Sequence, residues 1–345
     1  MSDALECQAP AQPAALRIAA AEPRGLEPSG SQVLVQVDAT SVNPIDVKRA
    51  AGYGRRLLAL LGAARFPLVL GNDFAGVVRA VGPNAGPWQP GQQVYGLVPT
   101  GRQGAHRTDV LADTRWLRPA PDHCSSEQLA ALPYCFTTMA LAVRAVGLQP
   151  STARGRRVLI AGASGALGRL AMQLLVPWGA RVTAVCSTPD VQACADLGAE
   201  DVLDRRIRPL SSLPTQFDAS LNFGSWSDDA SMLAKLKPDA LGHATAVHPL
   251  LENFDGLGWI GGLGATLRDL SRQRRLLKVH SPHARYRWVT FKPDRAALDT
   301  LQSMLIARAV ELPIGLAVPL QQAAAAFAHV QERRPGRALL LPRTP

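Results

Sequence analysis

The chain has 345 residues, enough for two domains each with its own core, and is 47% hydrophobic and 19% charged, a balance that excludes a disordered protein. Lys and Arg number 37 against 27 Asp and Glu, a formal charge of +10, but the cations are scattered, which argues against a general nucleic-acid binder. No 18-residue window is apolar and free of charge, so no membrane span is predicted.

The N-terminus lacks a basic segment ahead of an apolar one, and Asp3 and Glu6 speak against a transit peptide. Five cysteines (Cys7, Cys124, Cys135, Cys186 and Cys194) contain no CxxC pair, so neither a disulfide framework nor a Cys-rich zinc lobe is expected. These features predict a cytoplasmic protein.

Along the chain, residues 31–40 (SQVLVQVDAT) alternate apolar and polar, and 73–81 and 93–98 are further strand candidates separated by the turns PNAG and QPGQ. A β-rich first domain is predicted over 1–130, completed by 312–345. A helical run opens at Ser125, whose hydroxyl suits an N-cap. From residue 157 short apolar runs alternate with helical stretches. Strands are predicted at 157–161, 181–186, 201–203, 217–221, 243–247 and 287–291, with helices at 169–178 and 191–197. That rhythm implies a parallel sheet with right-handed crossovers over 131–311. The segment 268–285 is strongly basic with helical potential, and the chain ends in an Ala-rich helix (321–330) and a strand (338–341).

The strongest chemical signal is VLIAGASGALG, 158–168, which sets Gly162, Gly165 and Gly168 between a strand and a helix. A dinucleotide site needs glycine for a tight turn, for close backbone approach to the pyrophosphate and for close helix–strand contact. Ser164 lies in that turn, and Ala166 and Leu167 would direct helix N-terminal amides at the phosphates. About 20 residues beyond the glycines an NAD site places an acid on the ribose hydroxyls. Here the second strand ends Val185-Cys186-Ser187-Thr188, with no acid before Asp190. Ser187 and Thr188 can donate to a 2′-phosphate and Arg205 can supply charge, so the cofactor predicted is NADPH.

SVNPIDVKRAAGYG (41–54), FPLVLGNDFAGVV (66–78), WQPGQQVYG (88–96), LPYCFTT (132–138), LGAEDVLD (197–204) and RYRWVTF (285–291) together resemble the medium-chain dehydrogenase/reductase superfamily. Within it the pattern is similar to the zinc-free quinone-oxidoreductase-like branch, and RYRWVTF to its reticulon-interacting mitochondrial oxidoreductase subgroup. The resemblance implies an α/β protein, a GroES-like β-rich catalytic domain joined to a Rossmann domain with a cleft between them.

Zinc members use Cys in the loop that reads 41–46 here and His in the Gly-His-Glu that reads Gly71-Asn72-Asp73. Asn43 and Asn72 stand at those positions and Tyr134 near the third, so no metal site is expected, since zinc needs three or four Cys, His or carboxylate ligands. The resemblance places Asn43 and Tyr53 in the substrate pocket. Lys48 there would stabilise an enolate or donate a proton. It also implies cofactor contacts at Thr138, Asn222, Ala246 and Phe291.

Hydride transfer without a Lewis acid suits an acceptor that is already electron-poor, a quinone or an alkene conjugated to a carbonyl. Two alternatives remain at this level. One is reduction of an enoyl thioester on an acidic carrier protein docked at the basic stretch 268–287. The other is a non-catalytic NADPH-binding sensor. Dimers are common in the family, so a homodimer is compatible with this reading.

Overall fold

Residues 32–42 alternate buried and half-buried positions, with Val33, Val35 and Val37 fully enclosed, because a strand turns successive side chains to opposite faces. In the computed structural model, which describes residues 2–21, 27–101 and 103–343, this segment is the central strand of a seven-stranded sheet. The first elements are β1 (Ser2–Cys7), β2 (Leu16–Ala21), β3 (Gln32–Val42), α1 (Pro44–Ala50), α2 (Arg55–Ala59) and β4 (Leu68–Val69). They are followed by β5 (Asp73–Val81), β6 (Gln93–Leu97), β7 (Asp109–Asp113), β8 (Leu117–Pro119) and α3 (Ser126–Ala130). β3 pairs antiparallel with β5 and β7, and β1 pairs antiparallel with β2 and β4 in a separate three-stranded sheet. Ser125 Oγ accepts the Gln128 amide at 3.2 Å and so caps α3. The helical run is not continuous, however: Pro133, which has no N–H to donate, opens a second helix, α4 (Pro133–Ala145).

Beyond it lie α5 (Pro150–Ala153), β9 (Arg157–Ala161), α6 (Ala166–Leu175), β10 (Arg181–Cys186), α7 (Val191–Asp196), β11 (Asp201–Asp204), β12 (Ala219–Asn222), α8 (Asp229–Leu233), β13 (Gly242–Thr245), α9 (Leu250–His280) and β14 (Arg285–Trp288). The six strands form one parallel sheet in the order β11-β10-β9-β12-β13-β14, the doubly wound arrangement. β9 and β10 are nearly continuous apolar runs because helices cover a parallel sheet on both faces. α6 begins at Ala166, directly on the glycine turn, three residues before the expected start. β14 covers 285–288 rather than 287–291, since Tyr286 turns inward while Arg285 and Arg287 face out.

The chain closes with α10 (Arg295–Ile306), β15 (Ile314–Pro319), α11 (Ala323–Gln331) and β16 (Arg337–Leu341). β16 pairs antiparallel with β3 and so returns to the first sheet. Contacts divide the molecule into one unit of Met1–Tyr134, Phe254–Gly258 and Lys292–Pro345, and a second of Cys135–Asn253 and Trp259–Phe291. The second unit ends at Phe291, not at the expected residue 311, because α10 packs on β8. Tyr95 Oη donates to Gln302 Oε1 at 2.8 Å, and Arg118 Nε donates to Asp299 Oδ1 at 2.9 Å.

Candidate functional site

The turn from β9 to α6 shows three different uses of glycine. Gly162 has φ +71°, and a Cβ there would lie 2.8 Å from the Gly224 nitrogen in the loop after β12. A Cβ on Gly168 would come within 2.4 Å of Ala163 Cα, so this glycine lets the helix sit against the turn. Gly165 differs: a Cβ would meet only the Gly162 carbonyl oxygen at 3.4 Å, and the residue is exposed. No side chain caps α6, so the amides of Ala166 and Leu167 are presented at an open helix N-terminus. Ser164 is half-buried and accepts Arg169 Nε on its carbonyl at 2.9 Å. The turn lies at the carboxyl ends of β9 and β12, where the strand order reverses, the place at which open α/β sheets bind their ligands.

The next strand ties two turns together. The Ala163 amide donates to the Val185 carbonyl at 3.1 Å, and the Arg205 amide to the Cys186 carbonyl at 3.0 Å. Consecutive carbonyls of β10 thus anchor the glycine turn and an arginine-rich turn, on which Arg205, Arg206 and Arg208 are all exposed. Ser187 is half-buried and Thr188 exposed at the same strand end. Arg206, Arg208 and Asp204 join Arg205 here, and the run Asp204-Arg205-Arg206-Ile207-Arg208 is their signal in the sequence. The Asp204 carboxyl is held below the usual range by the Thr188 hydroxyl and by the Arg206 and Ile207 amides. That acid is therefore engaged by its own strand end.

Asn222, expected at the cofactor, is wholly buried and committed elsewhere. Its Nδ2 donates to the Ser225 carbonyl at 2.7 Å and to Asp229 Oδ1 at 2.8 Å, while its Oδ1 accepts the Gly224 amide at 3.0 Å. It shapes the loop that Gly162 abuts. Asp229 also accepts from Tyr286 Oη at 2.6 Å and bonds His243 Nε2 at 3.0 Å, with Ser220 Oγ 2.7 Å from His243 Nδ1. Burial alone would raise the Asp229 carboxyl, but His243, Tyr286 and Asn222 outweigh it and hold it low. Above this network His248 stacks on Trp288 at 4.8 Å between centroids. Ala246 is half-buried and donates its amide to the Asn222 carbonyl at 3.0 Å. Thr138 is buried on α4 and Phe291 half-buried three residues past β14, so these two lie on different elements.

In the first unit Asn43 is likewise spent on structure. Its Nδ2 donates to Ser41 Oγ at 3.1 Å and Asp73 Oδ1 at 3.2 Å, and its Oδ1 accepts Arg337 Nη2 at 2.8 Å. Asp73 further accepts from Ser41 Oγ at 2.5 Å and the Tyr134 amide at 3.1 Å. Burial pushes the Asp73 carboxyl up to about 6 against the pull of Arg337, Ser41 and Tyr134. This centre occupies the positions where zinc relatives hold the metal, and it does not suit a cation. It offers one carboxylate already hydrogen-bonded by its neighbours, with a guanidinium among them. Among the described residues no group of three or more His, Cys, Asp or Glu is placed to hold a metal. Cys135 is buried.

The Asn43 side chain, expected in the substrate pocket, is thus engaged by Ser41, Asp73 and Arg337. Lys48 and Tyr53, expected beside Asn43, lie next to each other. Lys48 is exposed at the end of α1, its Nζ lies 5.0 Å from the centroid of the half-buried Tyr53 ring, and the Tyr53 amide donates to the Lys48 carbonyl at 3.0 Å.

A GroES-like unit and a doubly wound unit with an open glycine turn define an oxidoreductase that uses a nicotinamide cofactor. Residues 29–122 match the alcohol dehydrogenase GroES-like domain family. The chain is 32% identical over 318 residues to the NAD(P)H oxidoreductase RTN4IP1, mitochondrial, of Mus musculus, and 33% identical to that of Homo sapiens. Each alignment covers 87% of this chain and 79% of the relative. In fold it is similar to the quinone oxidoreductase from Coxiella burnetii, with a TM-score of 0.81 over 99% of both chains at 21% identity. The chain belongs to the zinc-free quinone-oxidoreductase-like branch of the medium-chain dehydrogenase/reductase superfamily. These relatives overturn the cytoplasmic expectation: the mouse, cattle, human and zebrafish proteins are all named as mitochondrial. Compartment is read from address segments, and the composition of a folded body does not encode it.

Proposed function

We propose that the protein is an NADPH-dependent reductase that delivers hydride to a quinone or to the C=C bond of an α,β-unsaturated carbonyl. The observation that carries this reading is the pair of turns anchored on Val185 and Cys186. The open N-terminus of α6 suits a pyrophosphate, and the exposed arginines after β11 suit a 2′-phosphate. Gly162, Ser164, Gly165, Ala166, Leu167 and Gly168 would hold the pyrophosphate, with Ser187 and Arg205 at the adenosine end. Thr138, Ala246 and Phe291 are proposed on the nicotinamide side.

The bound nicotinamide supplies a hydride, a two-electron reduction. Negative charge then develops on the acceptor oxygen, and a cationic or hydroxyl donor stabilises it. The Lys48 ammonium is proposed to stabilise that oxygen and the Tyr53 hydroxyl to deliver the proton, their adjacency allowing one to assist the other. Asn43 and Asn222 act as positioning residues.

The test is the loss of reduced nicotinamide absorbance with a water-soluble quinone, an enone and an enoyl thioester, each offered with NADPH and with NADH. Turnover of the quinone or enone with a higher kcat/KM for NADPH is expected. Preference for the enoyl thioester would move the substrate class, and tight NADPH binding with no turnover of any acceptor would make the protein a sensor.

A further inference from the structure

The helix α9 is interrupted at Gly258 (φ +74°), and the piece that follows carries a feature the reductase reading leaves unused. At 100° per residue, Ile260, Leu263, Leu267, Arg274 and Lys278 fall within one sector of about 60°. The burial pattern agrees. Ile260 is 91% exposed, Leu263 52% and Leu267 57%, and Arg274 and Lys278 are exposed, whereas Ala265, Thr266, Gln273 and Leu277, which fall outside that sector, are buried. Trp259 is half exposed at the start of the same piece. Surface leucines and isoleucines scattered singly need no explanation, but three on successive turns of one face form a stripe.

The stripe itself turns cationic toward its end, at Arg274 and Lys278, and the exposed flank beside it adds Arg268, Arg272 and Arg275. Arg268, Arg272, Arg274, Arg275 and Lys278 lie between Trp259 and His280, and the only acid in that span is Asp269. Asp269 sits toward the buried side, where its Oδ2 accepts Asn253 Nδ2 at 2.9 Å. Arg268, Arg272, Arg274, Arg275 and Lys278 are all exposed, five cations against that single acid. From Ile260 to Lys278 the face runs about 27 Å.

We propose that this face of α9, from Ile260 to Lys278, docks flat on an anionic lipid surface. Apolar side chains with a neighbouring Trp would enter the boundary between headgroups and acyl chains, while Arg and Lys on the same face meet lipid phosphates. An acidic protein would satisfy the cations but would leave Ile260, Leu263 and Leu267 in water. A second copy of the chain would bury the leucines but would bring two cationic ends close together, at a cost. No helix among the described residues is long and apolar enough to cross a membrane, so the contact is peripheral. The docking is independent of the reductase reading, and nothing in it requires turnover.

The experiment is co-sedimentation of the full chain with phosphatidylcholine vesicles and with mixed phosphatidylcholine–phosphatidylglycerol vesicles, at low and high salt. The chain is expected to sediment with the mixed vesicles, to remain in solution with the neutral ones, and to be released by salt. Ile260→Asp/Leu267→Asp should weaken the partition by about tenfold or more, and Arg274→Glu/Lys278→Glu by a similar factor with a flatter salt dependence. Thermal melting of both variants should match the parent, since all four side chains are exposed. The proposal is overturned if the parent stays in solution with the mixed vesicles, if both variants sediment as it does, or if light scattering shows a dimer that Leu267→Asp separates. Stable binding of an acidic carrier protein without any vesicle binding also overturns it.

Discussion

Around Asp73 each polar neighbour is turned inward: Ser41, Asn43 and the Tyr134 amide donate to the carboxylate, and Arg337 bridges Ser41 and Asn43. Around Gly165 the polar groups are turned outward, with an uncapped helix end and no atom nearer than 3.4 Å to a side chain placed there. Both regions sit where two strands end, yet one is closed by its own side chains and the other lacks side chains to close it. Buried polar groups that satisfy one another hold a fold in register, whereas donors at an uncapped surface helix end stay open to water or to an anion. The contrast separates two places that the sequence points to as a site: Asn43 is tied into the fold by Asp73 and Arg337, and the glycine turn is left open.

The comparison breaks most readily at Arg337. Its replacement by Met removes the cation from a buried carboxylate and should cost ~3–5 kcal/mol in urea unfolding, the range for an ion left uncompensated in a protein interior. A change below 1 kcal/mol would show that the centre around Asp73 is not held by charge.

The same centre predicts a pH dependence. Asp73 has its folded value raised to about 6 from 3.8, so between these values the native state holds the proton more firmly than the unfolded chain. The contribution is complete below about pH 4 and declines as pH rises to about 6, by ~3 kcal/mol in all. Asp73→Asn should remove this slope from the stability profile, and an unchanged profile would assign the titration to another group.

How much of this was legible in the sequence follows the range of the interactions. β5, β9 and β10 begin and end where the apolar pattern and flanking turns place them, because a strand's period and its breakers are local. The glycine turn was legible for the same reason. The partnership of Asn43 with Arg337 spans 294 residues and depends on β16 returning beside β3, which no local pattern reports. Asn222 was expected at the cofactor because it follows a strand at the right place, but its amide is taken by Asp229, seven residues on across a loop of unpredictable shape. The break at Pro133 was in plain view in the sequence, and only the continuous apolar pattern across it suggested a single helix.

A finer comparison lies within the turn. Gly168→Ala places a Cβ within 2.4 Å of Ala163 Cα and should destabilise by ~1–3 kcal/mol as an overpacked contact. Gly165→Ala meets only ordinary van der Waals contact and should stay within ~0.5 kcal/mol of the parent. Equal losses at both positions would mean that the turn packs as one block.

Smaller still is the effect expected at the adenosine end. Arg205→Ala should weaken NADPH by ~1–2 kcal/mol, a charge-assisted hydrogen bond, and leave NADH nearly unchanged in calorimetric titration. Equal weakening of both cofactors would show that Arg205 does not read the 2′-phosphate.

The central claim is that the cofactor is held at the open turn, and Gly165→Val tests it most directly. The variant keeps an allowed backbone, with φ −73° in the parent, but would fill the space proposed for the phosphates. Thermal melting is measured with and without NADPH at about a hundred times its Kd for the parent, where mass action should add ~2.7 kcal/mol. The account predicts a shift for the parent, a folded variant with the same melting temperature as the parent without NADPH, and no shift for that variant when NADPH is added. A folded variant that shifts as the parent does would place the cofactor elsewhere and contradict the account.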